Sequence, residues 1–447
     1  MKLPFSFRLP AYAALPFTML MAGCATYHAA PLPSAPDLTN TPSLKVPASQ
    51  FLLPGLKPHR FPTTGLDETA VVTLAVFDNP DLKAARLRAG VADAQLLQAG
   101  LLPDPVLSAG FATSAINYGY DAALSEDIQA LILRGPAKSA AKAHRQQVNL
   151  DILWQEWQVA EKARELFIQA RTNQRLQLVL TANRDLLARR YRQDNRAMQK
   201  GDLTLSTVSA DLTVLTAADT SVRQFQRNAT LTRHTLNQLL GLKPSAQLRL
   251  IGPDITQPLS REEFETAVAA LPHRRADLLA LRAGYRSQEQ SVRQAIRAQF
   301  PALSAGVDAS RDPVEGVNYY GPSVSLTLPL FNRNRGQIAL QWATRAVLRQ
   351  TYQARLDQAV GDVDQVWQAT QIMQHQLQDL DAYLPVLEKT AAAAEQSFRQ
   401  HNLDAGLYVN VESSLLAKQA EAIRLREALD TAQSALQTLL GLPLGPP

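Results

Sequence analysis

The sequence of 447 residues contains a single cysteine, Cys24. One cysteine cannot form a disulfide within the chain and cannot build a metal site made of cysteines. No stretch after Cys24 reaches the roughly 20 apolar residues that a membrane-spanning helix needs. The formal net charge is only +5 and both signs are interspersed, which does not indicate a nucleic-acid partner.

The first residues have the pattern of a secretory signal peptide. Lys2 and Arg8 precede a mostly apolar run over residues 9–20, and small residues lead up to Cys24. The segment resembles a bacterial lipobox, which implies cleavage before Cys24 and acylation of its thiol, as by palmitate. Ala25 would then be the second residue of the mature protein, which by this resemblance favours delivery to the outer membrane. The alternative is an ordinary signal peptide with a chance cysteine.

An internal repeat organises the rest of the chain. Asp81-Leu82 recurs as Asp277-Leu278, 196 residues later, and Leu239–Leu242 recurs as Leu439–Leu442, 200 residues later. Matches that stay in register indicate two copies of one unit, each predicted to contain a helix, a β-hairpin and two long helices. The predicted domains are a signal peptide at 1–23, a proline-rich tether at 24–66, and repeats at 67–250 and 251–447.

Glycine and proline are absent from residues 137–200 and again from residues 202–240. An unbroken helix over the first stretch would be roughly 95 Å long at about 1.5 Å per residue, so it must pack along its side. In the second repeat, Gly361 and Pro385 interrupt the corresponding helix, and Pro385 is expected to kink or break it. Apolar residues spaced alternately by three and four predict coiled-coil seams at Val222, Phe225, Ala229, Thr232, Leu236 and Leu239, and at Ala422, Leu425, Leu429, Ala432, Leu436 and Leu439.

Segments with a two-residue alternation lie between the helices. Apolar and small polar residues alternate over residues 107–114, 303–310 and 323–328, whereas a return strand at roughly 122–133 alternates poorly. An apolar face and a small polar face suit a barrel with lipid outside and water inside. The alternative is a pair of surface hairpins on a soluble core. Aromatic residues suited to a membrane belt lie near the turns: Tyr118, Tyr120, Tyr319 and Tyr320.

The number of strands limits how such a barrel can close. Two hairpins supply four strands, and about eight is the practical minimum for a barrel. Open edges in lipid leave unpaired backbone groups that cost several kcal/mol each. If the hairpins span a membrane, several copies must share one barrel; the sequence permits two, three or more.

Several motifs resemble those of TolC-type outer-membrane factors. Asn79–Leu82 and Arg275–Leu278 look like the helix starts of that family. Leu328–Gly336 is similar to its strand-to-helix motif. The helical pairs that end at Leu240-Gly241 and Leu440-Gly441 also match, so the resemblance covers nearly all of the chain after the tether.

The resemblance implies a fold that is mainly α with a β-barrel portion: a homotrimer with a twelve-stranded outer-membrane barrel, continued by a tunnel of long antiparallel coiled-coil helices through the periplasm. The partners it implies are outer-membrane lipid, a periplasmic adaptor (membrane fusion protein) and an inner-membrane efflux pump of the RND type. Asn332–Gly336 resembles the CzcC-like branch, which serves heavy-metal exporters. Export of metal cations and export of drugs or solvents both remain open.

Two groups of residues are candidates for function within such a duct. The first lies where each long helical pair reverses, and there exposed leucines would dock an adaptor, as the family's tips do; the alternative is that these residues only cap and staple the reversal. These tip residues are Gly201, Leu203, Thr204, Asn402, Leu403 and Asp404.

The second group is a candidate gate at the periplasmic mouth. Family members narrow this mouth with a ring of aspartates, and the matching position here is Asn410, which departs from the pattern. Asp404 and Glu412 are nearby acids that could form such a ring around a trimer axis and attract cations. The alternative is that both lie on solvated helix faces.

The sequence gives no support for an enzyme, a cofactor or a metal site. The seven histidines have no metal-ligand spacing, and no phosphate loop or nucleophile motif occurs. Arg190, Arg192, Arg196 and Lys200 form a basic stretch that a solvated helix face explains. The competing function from another class is a lipid-anchored, periplasmic coiled-coil scaffold without a pore.

Overall fold

The computed structural model describes residues 26–41, 65–113, 118–252 and 258–443. The signal peptide, Cys24 and most of the tether lie outside these residues, so the predicted lipidation is not tested. Residues 26–38 belong to a first unit and have an exposed, irregular backbone. The second unit begins at Thr39 and contains all of the helices and strands described below.

The same order of elements occurs twice in the second unit. None of the described helices combines the length and the apolar character that a membrane span requires. The first half contains α1 (Glu68–Asp78), α2 (Pro80–Gly100), β1 (Val106–Thr113), β2 (Tyr118–Asp127), α3 (Ile128–Lys200) and α4 (Leu205–Leu239). The second half contains α5 (Arg261–Arg274), α6 (Ala276–Arg297), β3 (Ala302–Arg311), β4 (Asn318–Thr327), α7 (Arg335–Arg399) and α8 (Ala405–Leu439).

The long helices are longer than the sequence predicts. Helix α3 has 73 residues because it begins at Ile128 and continues through Pro136. Helix α7 has 65 residues and includes Pro385, so the helix does not break at that proline, and of the two expected outcomes the kink stays a prediction. An interior proline costs a helix about 3 kcal/mol, and packing along the sides of α3 and α7 offsets that cost.

The contacts between helices define a wall with two free edges. Helix α3 packs against α4 on one side and against α8 on the other, and α8 packs against α7. In the part of the wall that lies away from the strands, the order of the helices is therefore α4-α3-α8-α7. Nearer the strands, α3 packs against α2 and α6, and α6 packs against α7, which gives the order α2-α3-α6-α7.

The strands form one antiparallel sheet in the order β1-β2-β3-β4. Leu107 lies opposite Leu124, Leu124 lies opposite Val307, and Ala305 lies opposite Val324, so apolar residues of all four strands share one face. The return strand β2 ends at Asp127, which corrects the expected range of 122–133, because the residues after Asp127 belong to α3. With that boundary, β2 shares the alternation of its neighbours.

The main core lies where the short helices meet the long ones. Helix α1 is almost wholly buried, and Leu74 packs with Phe167 and Leu240 in the first repeat. In the second repeat, Phe264 stacks on Trp367 with ring centroids 4.3 Å apart. A buried ion pair joins Arg164 Nε to Glu68 Oε1 at 2.7 Å. The expected fold class, mainly helical with two hairpins, is confirmed.

Candidate functional site

The first reversal of the helical wall is closed by a left-handed glycine. Gly201 follows the last residue of α3 with φ of 84°, and its N–H donates to the Met198 carbonyl. Asp202 N–H donates to the Ala197 carbonyl at 2.9 Å, which completes the helix end. Thr204 begins α4 as an N-cap, since its side chain accepts from Thr207 N–H. These contacts satisfy backbone groups that a helix end leaves without partners.

The second reversal has the same geometry with different residues. His401, 200 residues after Gly201, has φ of 61°, a conformation that is uncommon outside glycine. Asn402 N–H donates to the Ser397 carbonyl at 2.8 Å. Asp404 caps α8, because its Oδ1 accepts from Gly406 N–H at 2.8 Å and from Leu407 N–H at 3.2 Å. Thr204 and Asp404 therefore both serve as helix caps.

The structure changes which leucines are accessible at the tips. Leu203 and Leu403 are only half-buried, so neither is the fully exposed side chain that the docking hypothesis assumes. Leu205, the first residue of α4, is 69% exposed, and Leu407, in the first turn of α8, is 52% exposed. Neither Leu205 nor Leu407 was predicted from the sequence as a tip residue. The sequence does contain one indication of them: both are apolar residues in the first turn after a helix cap, and a residue at that position need not face the partner helix.

Asn410, at the expected gate position, is held by an arginine. Arg190 on α3 donates from Nη1 to Asn410 Oδ1 at 2.8 Å and to the Gly406 carbonyl at 3.3 Å. Its Nη2 lies 2.9 Å from Asp211 Oδ1 on α4, and its Nε lies 3.5 Å from Asp194 Oδ2. Arg190 thus joins α3, α4 and α8 close to the reversals. It was assigned to a solvated basic face, which is wrong because its guanidinium points between the helices.

The acid beside Arg190 is strongly perturbed. The pKa of Asp211 is raised from its ordinary value of 3.8 to about 6, because burial and, to a smaller extent, a hydrogen bond shared with Asp194 raise it more than the Arg190 guanidinium lowers it. Its second carboxylate oxygen is buried without a hydrogen-bond partner among the described residues. Asp194 and Asp211 therefore compete for a single guanidinium at this junction.

Glu412 lies on a different side of α8 from Asn410. Positions two residues apart on a helix do not face each other, so a gate at Asn410 and a gate at Glu412 are alternatives. Glu412 is half-buried and follows Tyr408 by one helical turn. Burial raises the pKa of the Tyr408 hydroxyl, and the Glu412 carboxylate raises it further. The Tyr408 ring stacks on Phe398 of α7 with centroids 4.8 Å apart.

The described residues contain no group of three or more histidine, cysteine, aspartate or glutamate side chains placed to hold a metal ion. The Asn332–Gly336 run spans the end of the connection from β4 and the first two residues of α7. Arg333 and Asn334 there have positive φ values of 47° and 53°, and Asn334 Nδ2 donates to the Ala295 carbonyl at 2.8 Å. The contacts of this motif are therefore structural.

Comparisons with known proteins agree with this architecture. The model of a family described as Outer membrane efflux protein matches residues 269–442. No curated protein sequence matches the chain. Among solved structures, the outer-membrane channel OprN is 17% identical with a TM-score of 0.71, covering 94% of this chain and 98% of its own.

Two further structures are similar over most of their length. VceC, an outer membrane protein of Vibrio cholerae, is 20% identical with a TM-score of 0.69, covering 85% of this chain and 97% of its own. CusC, whose crystal structures concern transmembrane channel formation, is 15% identical with a TM-score of 0.68, covering 92% of this chain and 99% of its own.

The expected outer-membrane location agrees with the family match, whereas the lipid anchor at Cys24 and the CzcC-like branch stay predictions. The match is to a family of efflux channels and gives no support to a reaction at this site. The resemblance to TolC-type outer-membrane factors is confirmed: the second repeat matches the outer membrane efflux protein family, and the chain has the fold of outer-membrane channels.

Proposed function

We propose that three copies of this chain form a passive exit duct through the outer membrane, which docks on a periplasmic adaptor and an inner-membrane pump of the RND type. The observation that carries the proposal is that sheet and helical wall both end in free edges. In a single copy, β1 and β4 lie at the edges of the sheet. The edges of the wall are α2 and α7 near the strands, and α4 and α7 farther from the strands. Each edge is complete only when the next copy supplies its neighbour.

The sheet supports closure between copies inside a membrane. Its shared apolar face is uncovered, with Phe111 86% exposed and Val324 70% exposed. The opposite face carries glycine, serine and aspartate, as at Gly306, Asp308 and Ser325. Lipid around such a face would require every backbone group to be paired, so β1 of one copy must meet β4 of the next. Three copies give twelve strands, enough to close a barrel.

The wall supports the same closure outside the membrane. On α2, Leu87 is 76% exposed, and Leu97 is also exposed. Large exposed apolar side chains also lie on α7, at Leu340, Val347 and Tyr383. These apolar side chains lie on helices at the free edges, where packing of the next copy would remove them from water. We place the α2 and α4 edges of one copy against the α7 edge of the next.

The adaptor would meet the duct at the two reversals, where the long helices end. The tip residues Gly201, Leu203, Thr204, Asn402, Leu403 and Asp404 stay a proposal for this contact, to which the exposed leucines add Leu205 and Leu407. Asp404, Asn410 and Glu412 likewise stay proposed gate residues. The energy for export would come from the pump, since the sequence shows no nucleotide motif.

Single-channel recording of the detergent-extracted protein, with its oligomer mass measured alongside, tests the duct. Stable conducting steps from a trimer are expected. A protein that never conducts, and leaves the membrane once its lipid anchor is removed, would instead be the lipid-anchored periplasmic scaffold without a pore.

Metal cations are the proposed cargo, on the resemblance of Asn332–Gly336 to the CzcC-like branch. Because that run is structural here, the cargo must be tested by export itself. A deletion strain should become sensitive to heavy-metal ions, and the restored gene should reverse this. Sensitivity to drugs or solvents alone would contradict metal export and leave the duct proposal intact.

A further inference from the structure

A stripe of basic side chains runs along the last three turns of α3. Arg189, Arg192, Arg196 and Lys200 are spaced by three, four and four residues, so they lie on one face of the helix. All four are exposed, and the stripe is about 16 Å long at about 1.5 Å per residue. Within the described ranges none of the four forms an ion pair, whereas their neighbour Arg190 is turned inward to Asp211.

The fold of the repeat does not require these charges. The positions 200 residues later, at the end of α7 and its C-cap, are Lys389, Ala392, Gln396 and Gln400, so only one of the four carries a cation there. A cation near a helix C-terminus favours the helix dipole, but that effect fades within the last turn. It accounts for Lys200 and leaves Arg192 and Arg196 without a structural reason, whereas the charge of Arg189 also acts on the Tyr408 hydroxyl of α8.

The stripe also lies away from the proposed contacts between copies. Helix α3 is flanked on both sides by helices of its own chain, α4 and α8, whereas the free edges are α2, α4 and α7. A neighbouring copy that completes the wall therefore does not cover the face of α3 that carries the stripe. The stripe ends beside Gly201, at the end of the wall proposed to meet the adaptor.

We propose that this stripe, Arg189, Arg192, Arg196 and Lys200, is a docking surface for an acidic helical segment of a periplasmic partner protein. The inference rests on the proposed duct and adds the chemistry of its partner. Like charges three or four residues apart on a helix repel one another, and carboxylates at the same spacing on a facing helix would remove that repulsion. Complementary charge of this kind sets the register of docking and speeds encounter.

Binding of a defined peptide to the full-length, detergent-extracted protein tests the docking surface. The probe is a fluorescent alanine-based helical peptide with glutamates spaced by three and four residues, and its control has glutamine at those positions. We expect the glutamate peptide to bind and to weaken as salt is raised. The variant R189Q/R192Q/R196Q should bind at least about tenfold more weakly; it keeps Lys200, and with it the helix end.

A matched variant controls for net charge. R286Q/R293Q/R297Q removes three exposed arginines of α6, which is flanked by α3 and α7 of its own chain, and should bind the peptide like the unaltered protein. Equal binding by both triple variants, or binding of the glutamine peptide as tight as that of the glutamate peptide, would overturn the docking surface. Single-channel conductance should be the same in all three proteins, so a loss of conductance cannot be confused with a loss of docking.

The same recordings test whether the stripe lines the tunnel. A stripe in the tunnel would change the reversal potential in a salt gradient when its arginines are neutralised. We expect no change. A shift toward cation selectivity in R189Q/R192Q/R196Q, with peptide binding retained, would overturn the docking surface and place these charges on the conduction path.

Discussion

Asn79 and Arg275 have the same role in the two repeats, although their side chains differ. Asn79 Nδ2 donates to the Leu239 carbonyl at 3.2 Å, and Arg275 Nη1, 196 residues later, donates to the Leu439 carbonyl at 3.5 Å. Each thereby ties the start of a short helix to the end of the last long helix in its own half. The equivalence is one of position and contact, and a comparison of residue types alone would miss it.

Replacement of Asn79 by alanine should destabilise the first repeat by about 1–2 kcal/mol, because its Oδ1 also caps α2 by accepting from Leu82 N–H at 2.9 Å. Asn79→Asp keeps the cap acceptor and loses only the donor to Leu239, so it should cost less. Thermal unfolding of both variants measures the difference. Equal stability of Asn79→Ala and the unaltered protein would show that neither bond matters.

The Arg190 junction should make stability fall as pH rises through the acidic range. The folded pKa of Asp211, about 6, lies above its ordinary value of 3.8, so the folded state holds a proton that the unfolded state has lost. That contribution is complete below about pH 4 and lost above about pH 6. Asp211→Asn should flatten the stability profile in this window, which unfolding at a series of pH values checks. Glu388→Gln, an exposed acid on α7, is a control outside the junction.

Substitutions can distinguish a gating role of the two proposed gate acids, Asp404 and Glu412, from their contribution to stability. Asp404→Asn keeps a side-chain cap acceptor, whereas Asp404→Ala should cost about 1 kcal/mol of stability. If a ring of carboxylates narrows the mouth, Asp404→Asn or Glu412→Gln should lower cation selectivity in single-channel recordings. Unchanged selectivity in both would remove the ring.

Substitutions of the exposed and of the half-buried leucines at the reversals should have different effects on stability and on export. Leu205→Asp with Leu407→Asp places charges on exposed side chains, so stability should stay within about 0.5 kcal/mol while export falls if these residues dock the adaptor. Leu203→Asp with Leu403→Asp alters half-buried side chains and should destabilise the helix ends. Export assays beside thermal unfolding distinguish the two pairs. Normal export by the Leu205 and Leu407 variant would argue against docking there.

Adjacent residues of β4 offer a matched test of the barrel. Val324 lies on the shared apolar face and Ser325 on the opposite face. Arginine on a lipid-facing strand position costs about 2–4 kcal/mol near the bilayer centre, whereas a lumen position tolerates it. Val324→Arg should therefore reduce the amount of assembled protein in the outer membrane, and Ser325→Arg should not. The reverse order would invert the assignment of the two faces.

Much of this fold could be predicted because its signals are local. The repeat, the coiled-coil seam at Phe225 and Leu236, and the alternation in β3 depend on spacings along the chain, which fix the face on which a side chain lies. The continuation of α7 through Pro385 has a physical cause: a proline acts on one turn, while lateral packing along 65 residues decides whether the helix continues.

The sequence by itself determined that the chain has two similar halves, long helices and strands with one apolar face, because periodicity is a property of neighbouring residues. Only the tertiary structure decided the order α4-α3-α8-α7, which leaves free edges for another copy. It alone turned Arg190 inward and Arg192 outward, and it left Leu205 exposed beside a half-buried Leu203. These features depend on packing contacts between residues far apart in the chain, and no regular spacing in the sequence predicts such contacts.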